Sequence, residues 1–136
     1  FHGGNFSNCK KYLPMLDQAI TALVQDLHDR GLDKDVSVVV WGDFGRTPKI
    51  NKDAGRDHWP AVSCALLAGG GMRMGQVIGS TTKDGGYADD RPLHYRDVMA
   101  TLLYQMGFDV RHNQTVDQID RPIFLYPGHE PITELI

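Results

Sequence analysis

The chain has 136 residues, 41% of them apolar and 23% charged, with a formal net charge of −3. That length fits one domain, and that composition excludes a chain that is mainly disordered. The charge excludes a basic field for nucleic acid or an anionic membrane, and no apolar run is long enough to form a transmembrane segment.

The first predicted element is a helix. Leu13, Leu16, Ile20, Leu23, Val24 and Leu27 recur at spacings of three and four, so they share one face. Pro14 suits a first turn or marks a kink, and Gly31 is a natural stop. Next comes Val36 to Trp41, a β-branched run that barely alternates, as strands buried on both faces do. The run Ala61 to Ala68 reads the same way and ends at Gly69-Gly70-Gly71. Between the two runs lies a polar loop, Gly42 to Pro60. The stretch from Gly75 to Pro92 predicts short strands or a hairpin. A second helix spans Tyr95 to Met106, closed by Gly107. A short strand, Ile123 to Tyr126, and a last helical turn, Ile132 to Leu135, complete the chain.

This order predicts an α/β fold, a mostly parallel sheet flanked by helices, in which residues 1–136 form a single partial domain. The opening at Phe1, inside FHGGNF, reads as a processed or truncated piece of something longer, and no signal peptide is visible. Cys9 and Cys64 allow either one disulfide or two free thiols.

In open α/β sheets ligands bind beyond the carboxyl ends of the strands, so the loop Gly42 to Pro60 is the place to look for chemistry. It holds GDFGRTP, residues 42–48, and GRDHWP, residues 55–60. Carboxylate plus imidazole suits a divalent metal. Arginine suits a tetrahedral oxyanion, because its planar fork gives parallel hydrogen bonds. Metal and arginine together serve attack on a phosphate or sulfate ester. The plainer reading is that Asp43 caps a turn while Arg46 or Arg56 pairs with Asp53 or Asp57 on the surface. The triplet Asp43-Phe44-Gly45 spells a kinase metal motif, but the other kinase motifs are missing. Of the histidines, His58 is the candidate. His2 is expected to be exposed, His28 solvated, and His94 to cap a helix or pair on the surface. His112 and His129 lie in loops without ligand spacing.

GDFGRTP, GRDHWP, LLAGGGM, GQVIG and the helix with D-x-x-A-T-L together resemble the C-terminal part of the DUF1501 family, as does the opening FHGGNF. That family is in turn similar to the alkaline phosphatase superfamily of sulfatases, phosphatases and phosphoglycerate mutases. The resemblance implies the C-terminal part of an alkaline-phosphatase-like fold and a metal-dependent hydrolase of sulfate or phosphate esters. It implies Asp43 and His58 as ligands of zinc, manganese, magnesium or calcium. Arg46 and Arg56 would hold the oxyanion, and Asp57 would orient His58 or add a ligand. The substrate would be a small-molecule or polysaccharide ester, and the location periplasmic or at the cell surface. Phe44 stands where the superfamily has a second ligand, and the superfamily nucleophile belongs to a part this chain lacks. The alternative is a non-catalytic binding or scaffold module of the same fold. Exposed strand edges would favour self-association, and Phe44, unable to ligate, should point into the core.

Overall fold

In the computed structural model, which describes residues 1–136, the first element is α1, Asn5–Asp29. It starts well before the apolar stripe does, so Pro14 lies inside the helix rather than in its first turn. Proline lacks an N–H, so one hydrogen bond toward the preceding turn is missing there. The helix ends as expected: Gly31 takes φ 69°, and its N–H bonds back to the carbonyl of His28.

Six short strands follow α1. They are β1 (Ser37–Trp41), β2 (Gly45–Arg46), β3 (His58–Trp59), β4 (Ala65–Gly69), β5 (Gln114–Val116) and β6 (Pro122–Phe124), with α2 (Tyr95–Gln105) between β4 and β5. They form three two-stranded ribbons, β1–β4, β2–β3 and β5–β6, all antiparallel.

The expected mostly parallel sheet flanked by helices is therefore corrected. The two apolar runs are neighbours, but Trp41 pairs with Ala65 and Ser37 with Gly69. The chain leaves β1 at Trp41, makes the β2–β3 ribbon, and re-enters at the same end. A parallel pair needs a crossover that carries the chain back to the other end, and no helix lies between Trp41 and Ala65. The expected burial on both faces is corrected too, since β1 is only half-buried and Trp41 and Leu66 are exposed; an unalternating apolar run says nothing about strand direction.

The buried cluster sits elsewhere. Met72, Val98, Ile132 and Leu135 form it, with Val39, Leu67, Ile78, Leu93 and Leu102 packed around them. So α2 contributes Val98 to the cluster, with its Leu102 and the ribbon residues Val39 and Leu67 packed against it. The segment Ile132 to Leu135 is a single turn that plugs the cluster. It is tied down by Ile132 N–H to Thr101 Oγ1 (2.8 Å) and by Arg73 N–H to the Leu135 carbonyl (2.9 Å). The stripe of α1 is less well covered: Leu13, Leu16 and Leu23 remain exposed. A groove of about 1320 Å³ runs along β1–β4 and is walled by Trp41, Phe44, Leu66 and Val77.

Candidate functional site

The β2–β3 ribbon brings the two loop motifs together. Its register sets Arg46 directly opposite His58 and Gly45 opposite Trp59. Trp59 anchors the ribbon by donating its indole N–H to the Gly86 carbonyl at 2.6 Å and by an edge contact with Tyr87. Phe44 lies against His58, ring centroids 3.8 Å apart, with the Arg46 guanidinium 5.7 Å from the Phe44 ring on its own account. Phe44 is thus half-buried under the site and also walls the groove, where the sequence suggested full burial in the core.

The N-terminal segment completes the site. Backbone bonds run from Gly4 N–H to Asp53, from Asn5 N–H to Ala54, and from Arg56 N–H to Phe1. They lay residues 1–5 along the loop 51–56. Gly55 makes this approach feasible, since a Cβ there would stand 1.8 Å from the His2 carbonyl oxygen. His2 is thereby delivered to His58: the two Nε2 atoms are 2.9 Å apart. Arg46 NH1 lies 3.2 Å from His2 Nε2 and 3.1 Å from the Arg56 carbonyl. On the far side of its ring, His2 Nδ1 is 3.3 Å from Asp57 Oδ1.

The Asp57 carboxyl is held below its ordinary range, first by the hydrogen bond from Asn51 and then by that from His2. An ionised Asp57 that accepts from Nδ1–H leaves the His2 Nε2 lone pair facing Arg46 and His58. The arrangement gathers a guanidinium and two imidazoles around one point, with the single carboxylate set behind one ring.

Of the residues singled out from sequence, Arg46, Asp57 and His58 meet here. Arg56 does not present its fork to this point, because its NH1 donates to the Thr47 and Pro48 carbonyls, each at 2.6 Å. It shapes the loop from within. Asp43 is exposed along the groove and is absent from the hydrogen bonds that join His2, Arg46, Asn51 and Asp57. Two residues escaped the sequence reading. His2 is indeed exposed, yet it belongs to the cluster, and the flanking glycines were the available signal. Asn51 carried none.

Two imidazole nitrogens are suitable donors for zinc or manganese. Catalytic zinc sites use three protein ligands. Nowhere in the chain do three or more His, Cys, Asp or Glu side chains form a group that could hold a metal ion. The donor set as arranged is therefore one short of fitting a resident ion.

A second histidine cluster is structural. His94 caps α2 by accepting from Arg96 N–H, and its own N–H donates to Asp97. His129 Nδ1 lies 2.8 Å from Asp97 Oδ1, and the two imidazoles stack. Cys9 and Cys64 are both free thiols.

The family model described as "Protein of unknown function (DUF1501)" matches residues 1–136. The chain belongs to the DUF1501 family. No curated protein and no solved structure matches it. For this DUF1501 chain, the GDFGRTP and GRDHWP motifs are the two halves of the β2–β3 ribbon, and FHGGNF is the segment laid against them. No helix of it is long and apolar enough to cross a membrane.

Proposed function

We propose that His2, His58 and Arg46 receive the sulfate or phosphate group of an ester, and that the chain belongs to a hydrolase of such esters, similar to the alkaline phosphatase and sulfatase superfamily. The observation that carries this reading is the convergence of Arg46 NH1 and His58 Nε2 on His2 Nε2, at 3.2 and 2.9 Å. A tetrahedral oxyanion offers three or four acceptor oxygens. A guanidinium N–H and an imidazole N–H supply charge-assisted hydrogen bonds to them. Asp57 keeps one proton on His2 Nδ1, so Nε2 is free to take a proton from an attacking hydroxyl or water. An imidazolium formed in that way is stabilised by the carboxylate behind it. Arg56 contributes by holding the loop that carries Asp57 and His58.

The nature of the groups at the cluster favours a second reading, a binding module without turnover. Imidazole, guanidinium, carboxylate and amide meet there, and the Thr47 hydroxyl beside them is bonded to backbone, accepting from Asp57 N–H and donating to the Lys49 carbonyl. The experiment is calorimetric titration with inorganic sulfate and phosphate, beside turnover of 4-nitrophenyl sulfate and phosphate, each with chelator and with added zinc or manganese. Binding with turnover supports the hydrolase, and binding without turnover supports the module. Absence of binding in every condition rejects both.

Self-association is part of this proposal. A single globular chain of 15.2 kDa exposes about 7,100 Å², whereas this one exposes 9710 Å². Sedimentation at high protein concentration tests it, and a clean monomer counts against it.

A further inference from the structure

Asn51 lies in the loop between β2 and β3, beside this site. Its side chain uses its full hydrogen-bonding capacity. Nδ2 donates to the His2 carbonyl and to Asp57 Oδ1, each at 2.9 Å. Oδ1 accepts from Asp53 N–H at 3.0 Å and from Gly55 N–H at 2.9 Å. The orientation of the amide is unambiguous, because one end meets only acceptors and the other only donors.

These four bonds divide into two functions. The Oδ1 pair closes the turn 51–55, with help from the backbone bond Asn51 N–H to Gly55. The Nδ2 pair joins the two partners of the His2–Asp57 contact, gripping His2 by its backbone and Asp57 by its carboxylate. Asp57 Oδ1 therefore accepts from Asn51 Nδ2 and from His2 Nδ1 at once. One NH₂ group fixes both the distance between imidazole and carboxylate and the oxygen that the imidazole finds.

We propose that Asn51 is a positioning residue that holds His2 against Asp57 and so fixes the proton on His2 Nδ1, leaving Nε2 as the atom presented to a ligand. This rests on the reading of His2 as part of the oxyanion site. Asn51 touches no ligand; it acts through His2 and Asp57.

The test is the ¹⁵N spectrum of the imidazoles in the whole chain near pH 8, where shift and coupling report which ring nitrogen carries the proton. The native chain should show His2 in one tautomer, with hydrogen on Nδ1. Asn51→Asp keeps Oδ1 for the turn and loses the Nδ2 donors, so it separates positioning from loop structure. In that variant the His2 signals should move to a mixture of tautomers while the backbone amides of residues 51–56 stay in place. Asn51→Ala should give the same change in His2 with added disorder of the turn. A native His2 spectrum in Asn51→Asp overturns the inference. A changed His2 spectrum in a chain that never binds sulfate supports the positioning role and rejects the ester reading instead.

Discussion

The Nε2 atoms of His2 and His58 face each other at 2.9 Å across fifty-six residues of sequence. Two N–H groups cannot point at each other at that distance, so at most one of these atoms carries hydrogen toward the other. An oxyanion placed between them would take the bond that one ring now gives its neighbour. His58→Ala should weaken sulfate or phosphate binding by about tenfold or more in calorimetry, and His2→Ala should lower turnover. Both rings are exposed, so the thermal midpoint should shift little. Native affinity in His58→Ala together with native turnover in His2→Ala would remove the pair from the site.

Phe44→Ala is expected to cost about 1–2 kcal/mol in denaturant unfolding, less than truncation of a fully buried phenyl ring, which runs about 3–5 kcal/mol. The ring is half-buried and its closest aromatic partner is His58. Its loss should also broaden the His58 ring signals, since the imidazole loses the surface it rests on.

Thr101 is fully buried; its hydroxyl donates to the Asp97 carbonyl at 2.7 Å and accepts from Ile132 N–H at 2.8 Å. Thr101→Val keeps the shape and strands a buried N–H. Equilibrium unfolding should show a loss of about 1–3 kcal/mol. Hydrogen exchange at Ile132 should rise more than exchange in α1. A neutral result would mean that the C-terminal turn does not depend on this bond.

The Arg91 guanidinium donates to both oxygens of Glu134, at 2.6 and 2.9 Å, and holds that carboxyl down at about 2 from an ordinary 4.5. A carboxyl lowered in the folded state stabilises it fully above the unfolded value. That contribution fades as pH falls through the folded value. Docking of residues 131–136 should therefore hold at pH 5 and weaken between about 4.5 and 2. Exchange at the Arg73 amide, which is bonded to Leu135, reads this directly. In Arg91→Gln docking should be weaker at pH 5, and its dependence on pH between about 4.5 and 2 should be largely lost.

Gly55→Ala should displace the N-terminal segment, because the new Cβ would meet the His2 carbonyl and the Gly3 nitrogen at 1.8 and 2.6 Å. Backbone must move on one side or the other, at a cost of about 1–3 kcal/mol or more. The expected signature is loss of the His2–His58 contact in nuclear Overhauser spectra with α2 unchanged.

Local periodicity determined α2 nearly to the residue and the apolar face of α1, because helix faces are set by spacing within the segment itself. It also located β1, a β-branched run, and most of β4, an apolar run that ends in glycine. Family membership, too, was legible from GDFGRTP and GRDHWP. Tertiary structure alone decided the direction of β4 against β1, because direction depends on where the intervening loop returns and not on the composition of either strand. It likewise decided the site. Arg46 and His58 meet through a two-residue ribbon too short to show a period, and Asp43 is turned to the groove instead. His2 joins them only because the Gly55 backbone has no side chain to keep it away, and because one amide, Asn51, binds His2 and Asp57 together. Contacts of that kind join residues far apart in the chain through hydrogen bonds of specific atoms, and spacing along the sequence does not encode them.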